Sequence, residues 1–333
     1  MNEPALQVDG LVVDVTRDRE RFRAVDGVSL SVERGKSVGL VGESGCGKSL
    51  TLRAIMGLLP DRAHAVGGLV TAAGPPRAGG GAGRPPPARR GRLGMIFQDP
   101  GTALDPVMTC GYQIAEAPRR VLGMSHAKAE ARALELLRLV GVPDADRRLR
   151  SYPHELSGGT RQRVMIAIAL SSEPKVLLCD EPTTALDVTI QAQILRLLVD
   201  LQEEMGLSIV FVTHELALVG ELCEDVSVMY AGRLVETGPT AEVLARPLHP
   251  YTIGLLRSAV DLDLEVSAPV PIPGSLPDPL NRPGGCAFHP RCFLARPECE
   301  NAEVALAPAG DGRTSACLYV DELMSGEVVH HVR

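Results

Sequence analysis

The run Gly42 to Ser49, GESGCGKS, constrains this chain more than any other stretch. It matches G-x-x-x-x-G-K-[ST] at every specified position. Lys36 to Val41 before it is mostly apolar and predicts a buried strand. Leu50 to Met56 after it predicts a helix, ended by Gly57 and Pro60. Strand, loop and helix in that order are the context in which this pattern cradles phosphate. Gly42, Gly45 and Gly47 let the backbone come close to an anion. Main-chain N–H groups and the helix N-terminus supply the anion site, so the run Gly42–Leu50, with Glu43, Ser44 and Cys46, is the candidate nucleotide-binding segment. Lys48 reaches the outer phosphates, and the Ser49 hydroxyl suits Mg²⁺. Cys46 stands where the side chain matters little.

Composition narrows the classes. The chain has 333 residues, enough for one large domain and a smaller appendage. Aromatics are 3%, Trp is absent and net charge is −7, all of which oppose a nucleic-acid platform. No apolar run of roughly 18 residues exists to span a membrane. The first residues, MNEPALQVDG, lack the apolar core of a signal peptide, so the expectation is a cytosolic protein. Its eight cysteines are then expected as reduced thiols or metal ligands, not disulfides.

Further along, residues 6–15 and Asp26 to Val32 alternate as strands that can pair antiparallel. Residues 61–93 mix Pro, Gly and Arg and are expected as a disordered insert. Leu93 to Phe97 predicts a short strand ending at Gln98. A helix is predicted from Ser125, with Leu134, Leu137 and Val140 inward and Gly141 and Pro143 as its stop. Lys175 to Cys179 predicts a strand that delivers Asp180 and Glu181; Ser208 to Thr213 predicts one that delivers His214. Ile190, Ile194, Leu198, Leu201 and Met205 form one helix face closed by Gly206. Val226 to Glu236 predicts a hairpin turning at Ala231-Gly232. The fold class is therefore α/β, a mostly parallel sheet covered on both faces. After about residue 258, six prolines between Pro269 and Pro283 predict an extended linker, followed by a loop-rich tail with Cys286, Cys292, Cys299 and Cys317.

The chemistry concentrates at strand ends, where open α/β sheets bind ligands. Asp180 is placed to hold Mg²⁺ opposite Ser49, and Glu181 to activate a water. Gln98 suits sensing Mg²⁺ and that water; His214 suits contact with a γ-phosphate. Ser157-Gly158-Gly159 at a helix start is a second anion site, about 110 residues from the first. Two such sites in one chain suggest a nucleotide held between two protomers.

These segments resemble the ATP-binding cassettes of ABC transporters. LSGGTRQR (Leu156 to Arg163) resembles the signature, with Gln162 among its residues. VLLCDEPTTALD (Val176 to Asp187) resembles the Walker B strand and D-loop, IFQDP (Ile96 to Pro100) the Q-loop, and FVTHE (Phe211 to Glu215) the switch histidine. LDPVMTCGYQIAEA, DVTIQAQIL, VMYAGRLVETGP, HPYTIGLL and PGSLPDPLNRPGGCAFHPRC are similar to the ATPase subunits of oligopeptide/dipeptide importers, nearer the first of the two unlike ATPases such importers carry. The resemblance implies a P-loop ATPase core with an antiparallel β subdomain and a helical subdomain over residues 1–258, and an importer-type C-terminal region over 259–333. It implies ATP and Mg²⁺, with Ser49, Gln98 and Asp180 as metal partners, Ser157, Gly158, Gly159 and Gln162 reaching ATP across a dimer, and Asp187 bridging the protomers. The implied partners are a second, non-identical ATPase, two membrane permeases and an extracellular solute-binding protein, with the chain at the cytoplasmic face of the membrane.

Three departures stand out. The adenine-stacking aromatic that the resemblance implies falls near Val15, with Phe22 the only aromatic close by. The 67–92 region is Pro/Gly/Arg-rich, and Glu215 follows the switch histidine where Asp is commoner. The tail cysteines, with x5, x6 and x17 spacings, stay open to three readings: unliganded thiols, zinc, or the 4Fe-4S cluster that the resemblance implies.

Overall fold

Each apolar run becomes a strand and each amphipathic run a helix in the computed structural model, which describes residues 3–72, 92–184, 186–258 and 270–325. The strands are β1 (Leu6–Arg17), β2 (Glu20–Val32), β3 (Ser37–Val41), β4 (Ala63–Ala72), β5 (Leu93–Ile96), β6 (Val176–Asp180), β7 (Ser208–Thr213), β8 (Asp225–Tyr230), β9 (Arg233–Pro239), β10 (Ala307–Pro308) and β11 (Thr314–Ser315). The α-helices are α1 (Lys48–Met56), α2 (Pro100–Ala103), α3 (Cys110–Arg120), α4 (His126–Leu139), α5 (Ala145–Arg148), α6 (Gly158–Leu170), α7 (Val188–Met205), α8 (Leu216–Leu222), α9 (Thr240–Ala245), α10 (Pro250–Ser258) and α11 (Val320–Ser325). A small antiparallel sheet has the order β2-β1-β4. The main sheet has the order β10-β11-β9-β8-β3-β7-β6-β5, parallel from β8 to β5 and antiparallel beyond β8.

The period-2 geometry of the parallel strands divides the core. Val38, Leu40, Leu178 and Val210 pack with Leu6, Val8 and Val13 of the small sheet. Leu177, Cys179, Ile209 and Phe211, one residue out of phase, pack with Leu137, Ile166 and Leu198 of the helices. The helical region α2–α6 is inserted between β5 and β6. Ser125 caps α4 by accepting the Lys128 N–H, and Gly206, at φ 62°, ends α7. Gly39 in β3 is a close approach: a Cβ there would lie 2.4 Å from a Val219 methyl of α8.

Two expectations need correction. The insert expected at 61–93 begins later, because Ala63–Ala72 is strand β4. It pairs with β1 from Val15↔Ala63 to Leu6↔Ala72. The ladder tolerates the glycines through a register shift between Asp9 and Val12, close to Gly68 at φ +92°. Residues 73–91, which hold most of the Pro/Gly/Arg-rich sequence, lie outside the described residues. The tail, expected as a separate unit beyond a linker, instead continues the main sheet: β11 pairs with β9 through Thr314↔Thr237 and Ser315↔Glu236. Phe288 packs edge-on to Tyr230 and Tyr251, with ring centroids 5.1 and 5.3 Å apart. Few apolar residues suffice because the open edge of β9 and buried polar pairs supply the rest.

Candidate active site

The C-terminal ends of β3, β5, β6 and β7 deliver, in turn, the glycine-rich loop, Gln98, the Asp180–Glu181 pair and His214. The loop runs straight into α1, whose N-cap Gly47 has φ 115°. No other residue suits that position, since a Cβ would also lie 2.8 Å from the Ala24 carbonyl oxygen. Lys48 folds back and donates to the Gly42 and Glu43 carbonyls, at 2.6 and 3.1 Å. Its Nζ lies 3.6 Å from Glu181 Oε1, and both side chains are buried.

Glu181 is the hub. Its Oε2 accepts from Gln98 Nε2 at 3.2 Å and from Thr184 Oγ1 at 3.0 Å, and lies 3.3 Å from His214 Nδ1. Its own backbone is left-handed, φ 46°, at the strand end. The His214 contact, outweighing burial, holds its carboxyl down at about 2, with Thr184 and Lys48 helping. His214 is raised in turn, first by that same bond.

Asp180 behaves oppositely: burial pushes its pKa up, against the Ser49 hydroxyl that donates to Oδ1 at 2.7 Å. Its Oδ2 is buried and has no hydrogen-bond partner among the described residues. A hydroxyl and a half-used carboxylate beside a phosphate loop make a donor set that fits Mg²⁺. Gln98, the third expected metal partner, donates to the neighbouring Glu181.

The segment expected as a second anion site is exposed at Ser157 and Gly158. Ser157 caps α6, accepting from Thr160 N, and Gly158 follows it at the surface. Asp187 caps α7 by accepting the Ile190 N–H, and the two caps line one open groove with Gly159 and Leu186. Gln162, expected to reach nucleotide with Ser157, is instead buried and donates to the Pro182 carbonyl at 2.6 Å. Its place in the second turn of α6 points it inward, toward the loop after β6. Val15 stands directly across the ladder from Phe22, and the Arg17 guanidinium lies 5.7 Å from the centre of that ring.

Residues 25–184 match the family model of the ABC transporter, and residues 235–299 match that of the oligopeptide/dipeptide transporter C-terminal region. The dipeptide transport ATP-binding protein DppD of Escherichia coli (strain K12) is 45% identical over 320 residues, covering 94% of this chain and 96% of its own. The chain belongs to the ABC transporter ATP-binding proteins. A protein of Brucella abortus (strain 2308) named for peptide import is also 45% identical, over 94% of both chains. Among solved structures, the ATP-binding cassette MJ0796, described as a dimer in a post-hydrolysis state bound to ADP and Pi, superposes with a TM-score of 0.61 at 28% identity. That match covers 71% of this chain and 98% of the cassette. CbiO1 of Clostridium perfringens gives 0.61 at 27%, covering 73% and 92%. As an ABC ATPase the chain works with ATP and Mg²⁺, and no helix among its described residues is long and apolar enough to cross a membrane.

The tail cysteines converge. Cys286, Cys292, Cys299 and Cys317 line one small cavity under His249 and Phe288. Burial, followed by the neighbouring sulfurs, pushes Cys292 up to about 12 and Cys317 to about 11. No group of three or more His, Cys, Asp or Glu among the described residues closes to hold a single metal ion. Sequence reasoning missed Arg291, which joins this tail to the site, and Tyr251 of α10, because their partner Glu43 is more than 200 positions away.

Proposed function

We propose that this chain is the ATPase subunit of an importer for peptides or a similar solute, hydrolysing ATP at a dimer interface beneath membrane permeases. The meeting of Lys48, Glu181, Gln98 and His214 at four adjacent strand ends carries the reading. The N–H groups of Gly42–Leu50 bind the phosphates and Lys48 moves from Glu181 and the loop carbonyls onto them. Glu181 takes a proton from the attacking water, positioned by Gln98 and His214. Ser49 and Asp180 would hold the Mg²⁺, which neutralises phosphate charge when bound. Ser157 and Gly158, exposed and far in sequence from the loop, reach the nucleotide of a partner ATPase, with Asp187 beside them. The partners are a second, homologous ATPase, two permeases and an extracellular binding protein, and the chain sits peripherally at the cytoplasmic face.

Ser157→Arg tests this in the assembled, reconstituted transporter. Each subunit should still bind Mg·ATP, while solute uptake and hydrolysis disappear because the bulky cation blocks the partner's nucleotide. Normal uptake in that variant would sink the two-protomer site.

The residue chemistry also fits a thiolate-held group in the tail. Four sulfurs line one cavity, and among the described residues no Lys or Arg lines it to stabilise their thiolates. Cys286, Cys292, Cys299 and Cys317 would hold a 4Fe-4S cluster, a larger group than one ion, and it would cross-link the loop-rich segment. Protein purified without oxygen should contain iron and acid-labile sulfide, both lost in Cys292→Ser. Zinc in their place identifies the alternative ligand, and neither metal means packed thiols.

A further inference from the structure

The tail grips the phosphate loop. Glu43, the second residue of that loop, is held at both ends by residues far along the chain. Its N–H donates to the Tyr251 hydroxyl of α10 at 2.7 Å. Its carboxylate takes both terminal nitrogens of Arg291, Nη1 to Oε2 at 2.7 Å and Nη2 to Oε1 at 2.9 Å. The third nitrogen, Nε, donates to the Pro273 carbonyl at 2.7 Å, so the fork is fixed in orientation. The Arg291 side chain is only 5% exposed, and its guanidinium lies 5.9 Å from the ring centres of both Tyr230 and Phe288. A bidentate, largely desolvated pair of this kind is stiff and directional.

Two consequences follow for the nucleotide. The Glu43 carbonyl is one of the two that receive Lys48, so whatever fixes Glu43 also fixes where Lys48 starts. The Glu43 carboxylate is also a negative charge inside a loop that must accept a polyphosphate. Paired with Arg291 it is neutralised; unpaired it repels the ligand through a part-buried, weakly screened path.

We propose that Arg291 is a positioning residue for ATP binding, an arginine of the tail that neutralises and clamps Glu43 and so keeps the phosphate loop receptive. The proposal rests on the reading of Gly42–Leu50 as the phosphate site. It gives the C-terminal region a role in nucleotide affinity. Arg291 directly precedes Cys292 in the chain, so whatever occupies the cysteine cavity also braces the loop.

Titration of the full chain with Mg·ATP tests it. Arg291→Met should raise the Kd about tenfold, the scale of one lost charge-assisted pair. Adding Glu43→Gln to that variant should bring the Kd back to within about threefold of wild type, because the repelling charge is gone. Arg291→Lys, a point charge without the fork, should fall between. Restoration by Glu43→Gln is the readout that a merely structural arginine would not give. Wild-type affinity in Arg291→Met, or in Arg291→Lys should the former fail to fold, overturns the proposal. So does weak binding that Glu43→Gln leaves unrepaired. Lys48→Ala separates the two readings: if it binds Mg·ATP normally, the phosphate-loop assignment itself is lost. If it fails while Arg291→Met binds normally, only the role of Arg291 is lost.

Discussion

Glu181→Gln should bind Mg·ATP at least as tightly as the wild type and hydrolyse it about 10²- to 10⁴-fold more slowly. The amide keeps the side chain's shape and can still accept from Gln98 and Thr184, but it cannot take a proton from water. It also frees Lys48, whose Nζ lies 3.6 Å from Glu181 Oε1, to meet phosphate. The titration of the site follows from the same geometry. His214 holds Glu181 down at about 2 and is itself raised above 6.5. The stabilisation from Glu181 is present above its unfolded value of 4.5 and is lost as pH falls towards 2. That from His214 is complete below 6.5 and is lost as pH rises through its raised value. The His214 ring signals should therefore titrate above 6.5 in the wild type and fall back towards it in Glu181→Gln. Phosphate that draws Lys48 away removes a cation from Glu181, so the acid limb of kcat should lie at higher pH than that of kcat/KM. Turnover in Glu181→Gln within about tenfold of wild type would put the base elsewhere.

What the sequence made legible was local. The loop Gly42–Ser49, the acidic pair at the end of β6 and His214 after β7 each close an apolar strand, and strand ends on one edge of a parallel sheet converge by topology alone. Strand β4 was hidden because Gly67 and Gly68 break its alternation, and its evidence is the ladder with β1, a tertiary fact. The inward turn of Gln162 onto the Pro182 carbonyl was not legible, because a signature motif fixes residue types without saying which face of α6 each one takes. The clamp on Glu43 was out of reach for a different reason. Arg291 and Tyr251 gain their meaning only when the tail closes on the core. A proline-rich stretch followed by scattered cysteines reads, residue by residue, as a detached appendage.

That closure has a measurable anchor, and removing it should cost about 3–5 kcal/mol. Arg313 and Glu236 form a fully buried pair, Nη2 to Oε1 at 2.8 Å, where β11 meets β9. The same nitrogen donates to the Arg246 carbonyl at 2.6 Å, and Glu236 Oε1 also accepts the Leu248 N–H at 2.7 Å. Arg313→Met therefore strands a buried carboxylate and orphans a carbonyl, and the urea midpoint should drop accordingly. The pair is not a net gain over an apolar contact, however. Burial already raises the Glu236 pKa in spite of Thr252, Leu248 and Arg313, and Arg313 Nε is buried with no hydrogen-bond partner among the described residues. Arg313→Met with Glu236→Leu should thus recover most of the loss or exceed the wild type. The single variant should also regain stability on acidification. A carboxyl raised in the folded state is most favourable below its unfolded value, and its contribution is lost as pH rises through the folded one. A midpoint unchanged in Arg313→Met would mean that this buried pair does not anchor the tail.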